Sequence, residues 1–66
     1  ALQETLQARG RPLPVYRVSQ ESGPDHEKRF AVDAEVDGVV LAAGSGKTKK
    51  EAEQEAARLA LLNLSQ

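Results

Sequence analysis

Between Arg29 and Asp37 the chain alternates strictly. Phe30, Val32, Ala34 and Val36 fall on one side, and Arg29, Ala31, Asp33, Glu35 and Asp37 on the other. A period of two marks a strand with one dry and one wet face. Asp37-Gly38 is a hairpin dipeptide, so Val39 to Ala43 reads as the returning strand of an antiparallel meander. Upstream, Val15 to Glu21 alternates more weakly, with Tyr16 and Val18 set against Arg17 and Ser19. Ser22-Gly23-Pro24-Asp25 is the turn chemistry that joins these first two strands.

The period changes at both ends of the chain. Leu2 and Leu6 stand four apart among Gln3, Glu4 and Gln7, which predicts a short amphipathic helix over 1–9. Gly10 stops it, and Pro12 and Pro14 prevent its continuation. Gly44-Ser45-Gly46 reads as a break after the third strand. Thr48-Lys49-Lys50-Glu51 then matches a capping box, in which the Thr48 hydroxyl accepts from the Glu51 amide and Glu51 reaches back. A helix follows from Lys49 to about Leu64, with Ala52, Ala56, Ala57, Ala60, Leu61 and Leu64 as its apolar stripe and Leu59 and Leu62 flanking. The expected fold is α+β, in the order α-β-β-β-α, with two helices packed on one face of a three-stranded antiparallel sheet.

Composition narrows the function. The 66 residues allow one domain with one small core. The absence of Cys excludes disulfides and a Cys-based zinc site, and a single His argues against a His-rich metal site. Hydrophobic content of 39% and charged content of 29% suit a folded, soluble domain. No apolar run is long enough for a membrane span, and no leader is visible. The chain does not begin with Met, so the expectation is a single domain, residues 1–66, cut from a longer cytoplasmic protein.

The net charge of −1 argues against nucleic acid when taken whole. Its distribution says otherwise. Val39 to Lys50 holds Lys47, Lys49 and Lys50 and no acid. Two of these lysines fall in the first turn of the last helix, where the macrodipole favours acids by about 0.3–1 kcal/mol each. One reading is a solvated charge run. The other is that lysines, dipole and unpaired backbone N–H groups converge on an external anion, with phosphate the best match. Gly44-Ser45-Gly46-Lys47-Thr48 looks like the end of a nucleotide-binding P-loop. That pattern needs Gly where this chain has Leu41, and a parallel sheet the length cannot supply. A nucleic-acid backbone remains.

The run from Gly44 to Glu53, followed by Ala56-Ala57 and Ala60-Leu61, resembles the C-terminal signature of a double-stranded RNA-binding domain. Leu2-Gln3-Glu4, Pro14-Val15-Tyr16, Gly23-Pro24-Asp25-His26 and Phe30-Ala31-Val32 complete the match in order. The likeness covers nearly the whole chain and is strongest to the C-terminal domain of bacterial ribonuclease III. It implies that Gln3, Glu4 and Gln7 face one RNA minor groove. Pro24, Asp25 and His26 reach the next, while Lys47, Lys49 and Lys50 touch phosphates across the intervening major groove. A span of about 16 base pairs, read by shape and 2′-OH contacts, is likewise a property of the family. Residue chemistry agrees: Gln offers donor and acceptor to a 2′-hydroxyl, and a carboxylate such as Glu4 accepts from one. An ordinary polar helix face and a solvated turn are the plainer readings of these residues. Tyr16 and Phe30 could stack on bases, but the pattern places Phe30 in the core. Glu53 departs from the family, many members of which carry a lysine there.

The same resemblance implies a binding module and not an enzyme. The acids are spread over wet faces, Asp33 and Glu35 on a strand and Glu51 and Glu55 on a helix. Metal-dependent RNA cleavage needs them clustered around Mg²⁺. The expectation is that the domain needs no cofactor, acts as a monomer, and holds duplex RNA for a separate catalytic domain. A parent ribonuclease III would carry the Mg²⁺ in that domain and be a homodimer. The alternative is a degenerate member of the family that mediates protein interaction or dimerisation.

Overall fold

The computed structural model describes residues 2–64. Helix α1 (Leu2–Ala8) leads into strands β1 (Val15–Ser22), β2 (Arg29–Val36) and β3 (Val39–Gly46), and helix α2 (Lys49–Leu64) closes the chain. The strands form one antiparallel sheet in the order β1-β2-β3. Ala1, expected in the first helix, lies outside the described residues. Arg9 is not helical, because α1 ends one residue earlier in a Schellman cap. Gly10, at φ 68°, donates to the Gln7 carbonyl at 3.0 Å and Arg11 to the Leu6 carbonyl at 2.9 Å.

The alternation in β2 survives folding. Val32, Ala34 and Val36 are buried, while Ala31, Asp33 and Glu35 on the other face are half-buried. Asp37 and Gly38 both take positive φ, 56° and 80°, as a two-residue hairpin of the primed type requires. The expected turn at Ser22–Asp25 lies further along: Ser22 still pairs with Arg29, and the closing bond runs from the Glu27 amide to the Pro24 carbonyl at 2.9 Å.

Two bulges were not foreseen by the pattern. Ser19 is an extra residue in β1 between the pairs Val18–Val32 and Gln20–Ala31. Leu41 is an extra residue in β3 between Val40–Glu35 and Ala42–Ala34. A bulge inverts the side-chain parity beyond it. Tyr16 and Val18 face the helices, and after Ser19 it is Glu21, paired with Phe30, that shares their side.

The expected break at Gly44-Ser45-Gly46 does not occur. β3 runs through Gly46, with Gly44 opposite Val32 and Gly46 opposite Phe30. These glycines admit the neighbouring helix rather than ending the strand. A Cβ on Gly44 would lie 2.7 Å from the Ala52 carbonyl oxygen, and one on Gly46 would lie 2.6 Å from the Glu51 Cβ. The helix answers with its own small residues: Ala52, Ala56 and Ala60 are fully buried, one turn apart.

α2 therefore lies close over β3 and β2, and α1 leans chiefly on α2. Leu2 and Leu6 join Ala34, Val36, Ala56 and Ala60 in the central cluster, with Tyr16, Leu41, Leu61 and Leu64 partly buried against it. Val18 remains 46% exposed although it faces the helix side. Phe30 departs from expectation as well. It is only partly buried and lies at the end of the sheet, outside the central cluster.

Gly44→Ala should destabilise by about 1–3 kcal/mol, because the added methyl meets backbone that cannot rotate away. At roughly 4–8 °C per kcal/mol for a domain this size, thermal melting resolves the loss. Ser45→Ala, on the exposed opposite face, should melt as the unaltered chain does. Tyr16 offers a second check. Burial, and then the charge of Glu53, push its phenol above the ordinary value of 10.0. The fold thus favours the neutral phenol: this contribution is fully present below pH 10 and is lost as pH rises through the higher folded value. Since Tyr16 is the sole tyrosine, ultraviolet absorbance follows it alone. The native midpoint should exceed that of the denatured chain, and Glu53→Gln should reduce the gap without closing it.

Candidate nucleic-acid interface

The sheet brings two distant stretches to one end. Ser22 pairs with Arg29, and Gly46 pairs with Phe30. The β1–β2 loop and the junction between β3 and α2 therefore leave the sheet side by side. Asp25, His26, Glu27, Lys28, Arg29 and Lys47 line one open hollow between them. Pro24, Asp25 and His26 are exposed there, as are Lys47, Lys49 and Lys50.

Capping fixes the lysines' backbone. The Thr48 hydroxyl accepts from the Glu51 amide at 3.0 Å, as the sequence predicts. The return bond differs in its target: Glu51 accepts from the Lys47 amide at 2.8 Å, not from that of Thr48. This places a carboxylate on the positive end of the helix and ties Lys47 to the first turn. Lys49 stands at the first helical position, and its ammonium lies 5.9 Å from the centroid of the Phe30 ring.

The loop is also held. Lys28 hydrogen-bonds Glu21 at 2.7 Å and lies 3.9 Å from Asp25. That hydrogen bond, followed by the lysine's charge, keeps the Glu21 carboxyl below the usual carboxylate range. Arg17 pairs with Glu35 on the outer sheet face, and Arg58 with Glu55 along α2, whose carboxyl is lowered in the same way. Among the described residues, no carboxylate forms an ion pair with Lys47, Lys49 or Lys50.

A family profile described as Double-stranded RNA binding motif matches residues 1–64. The chain belongs to this family. Ribonuclease 3 of Syntrophobacter fumaroxidans is 53% identical over 60 residues, which cover 91% of this chain and 25% of that protein. Ribonuclease 3 of Streptococcus pyogenes serotype M2 is 52% identical over 65 residues, covering 98% and 28%. The chain thus spans about a quarter of the length of these curated relatives. Among solved structures, one of Arabidopsis HYL1 superposes with a TM-score of 0.80 at 37% identity, over 98% of this chain and 92% of that one. The second double-stranded RNA-binding domain of DRB4 gives 0.69 at 38% identity, over 97% and 89%.

In this double-stranded RNA-binding domain the residues singled out from the sequence fall into two groups. The loop and the lysines share one end. Gln3, Glu4 and Gln7 form an exposed face of α1 set apart from them. The Arg9 guanidinium donates to the Leu64 carbonyl at 3.1 Å, which ties the exit of α1 to the far end of α2. The domain is 41 Å long and 18 Å across, so these groups are spread along a rod. Sequence reasoning missed Arg29, Glu21 and Phe30 as parts of the first group. Only the bulge at Ser19, which carries no residue signature here, puts Glu21 beside Phe30. Among the described residues, no group of three or more His, Asp or Glu side chains could hold a metal ion. Nor, among those residues, is any helix long and apolar enough to cross a membrane.

Thr48→Ala removes the cap without touching the core. The melting free energy should fall by on the order of 1 kcal/mol. Amide exchange at Glu51, whose N–H donates to the Thr48 hydroxyl, should quicken, while the centre of α2 stays protected.

Proposed function

We propose that this domain binds double-stranded RNA with little regard to sequence and holds it for a separate ribonuclease III catalytic domain. The supporting observation is a contrast among the cations. Arg17, Lys28 and Arg58 are paired with acids, whereas Lys47, Lys49 and Lys50 cluster exposed at a helix start and, among the described residues, have no ion-pair partner. Arg29, likewise without one, lines the same hollow as Lys47, while Arg9 and Arg11 stand apart at the exit of α1. Three positive charges gathered against a dipole that repels them are accounted for by an anion from outside.

In this reading Lys47, Lys49 and Lys50 meet phosphates across the major groove. His26, with Pro24 and Asp25 shaping its loop, enters one minor groove. Gln3, Glu4 and Gln7 enter the next, where 2′-hydroxyls give and accept hydrogen bonds. Glu4 meets sugar, because a carboxylate is repelled by phosphate. The domain works as a monomer without a cofactor. The longer protein is a cytoplasmic, homodimeric endoribonuclease that processes RNA, ribosomal RNA included, with its Mg²⁺ in the catalytic part. The relatives named Ribonuclease 3 support that parentage.

A salt series of binding isotherms tests the reading. The domain should bind an RNA duplex well and the matched B-form DNA duplex much more weakly, since DNA lacks the 2′-hydroxyl. Lys49→Ala and Lys50→Ala should weaken binding to all RNA duplexes alike. Each should flatten the log–log salt slope by somewhat under ~1 unit, as counterion release requires. Arg17→Ala, on the outer sheet face, is the control. Equal affinity for RNA and DNA would exclude sugar readout. Unchanged affinity and slope in both lysine variants would favour the protein-interaction alternative.

A further inference from the structure

Helix α1 buries two side chains, Leu2 and Leu6, and leans chiefly on α2. Apolar contact of this kind has no direction. It fixes how near the two helices lie and leaves the angle between them soft. Yet Gln3, Glu4 and Gln7 stand on the exposed side of α1, set apart from the lysines at the start of α2. Two groups that meet one stiff duplex together depend on that angle.

Arg9 supplies the missing direction. Its backbone belongs to the exit of α1: the amide donates to the Thr5 and Leu6 carbonyls, both at 3.2 Å, and the Schellman cap closes over the next two residues. Its guanidinium reaches α2, donating to the Leu64 carbonyl at 3.1 Å across 55 positions of sequence. The last carbonyls of a helix have no partner within it, and they form the negative end of its dipole. The last turn of α2 holds no basic residue of its own, so a cation from α1 takes that place. An exposed arginine could also be read as a phosphate contact. This one is directed at the far end of a 16-residue helix, about 22–24 Å from the lysines at its start.

We infer that Arg9 is a positioning residue for RNA binding: by anchoring the exit of α1 to the Leu64 carbonyl, it sets the angle at which Gln3, Glu4 and Gln7 face the duplex, without itself touching RNA. The inference rests on the RNA-binding reading and adds to it a residue that acts only through the α1 face.

The test is Arg9→Met, which keeps the length of the side chain and removes its charge and donors. Melting curves establish that the variant is folded. Affinity for an RNA duplex should fall about two- to fivefold, the worth of one exposed hydrogen bond. Affinity for the matched DNA duplex, which offers α1 no 2′-hydroxyl, should hardly change. The salt slope should stay the same, because no phosphate contact is lost. On a Gln3→Ala/Gln7→Ala background, Arg9→Met should cost nothing further. A flattened slope, with RNA and DNA affinity falling together, marks Arg9 as a phosphate contact and overturns the inference. Equal losses with and without Gln3 and Gln7, or no loss at all, overturn it too.

A readout without RNA separates this failure from that of the functional reading. Residual dipolar couplings of the backbone amides give the angle between α1 and α2 in the free domain. In Arg9→Met that angle should shift or spread, while each helix keeps its own internal geometry. An unchanged angle overturns the anchoring role, whatever the domain binds. If the angle responds but the unaltered domain binds no duplex RNA, the functional reading falls and the inference falls with it.

Discussion

The closeness of α2 to the sheet governs everything else in this domain. Gly44 and Gly46 leave no side chain between β3 and the helix backbone, and Ala52, Ala56 and Ala60 keep the helix side equally bare. A small domain has little apolar area to bury. Here much of the contact is backbone against backbone, which is short-ranged and intolerant of extra atoms. The larger side chains, Leu2, Leu6, Val32 and Val36, fill the space beside that seam. Because the seam fixes both the height and the tilt of α2, it also fixes where the first turn of the helix points. The lysines are aimed by glycines of the strand that precedes them.

Much of this was legible in the residues. The alternation from Val32 to Val36 and the Asp37-Gly38 turn reappear without change, and so do the extent of α2 and the Thr48 hydroxyl cap, since each depends on neighbours a few positions away. Failures cluster where distant parts of the chain meet. Gly44 and Gly46 look like breakers until the helix that needs them is in place. The bulges at Ser19 and Leu41 answer to the twist and cover of the whole sheet. Phe30 fits the core pattern but sits where the helix has only begun. Of the candidate site, the lysines and the loop were visible as types and spacing. That they share one sheet end, and that Glu21 and Phe30 join them, follows only from register.

Charge here is sorted rather than abundant. The domain carries nine Lys and Arg against ten Asp and Glu, which for a binder of polyanions looks the wrong way round. Exposed ion pairs such as Arg17–Glu35 or Arg58–Glu55 contribute little stability. Their larger effect is on the field, because each paired cation is cancelled locally. The field at distances beyond about 8–10 Å is screened in any case. The field at the helix start is therefore set by the nearby lysines and not by the net charge, and an acidic composition need not repel a polyanion.

The outer edge of β1 is unpaired in the sheet. Exposed strand edges recruit other strands, and proteins that must stay apart blunt them with bulges and charges. β1 has both: Ser19 interrupts its hydrogen-bonding ladder, with its hydroxyl donating to the Ala31 carbonyl at 3.2 Å, and Arg17 stands exposed beside it. A rod that attaches to a polymer by contacts indifferent to sequence can be crowded by its own copies on neighbouring stretches. Were two copies to lie side by side on one duplex, this broken edge would be a poor template for pairing their sheets.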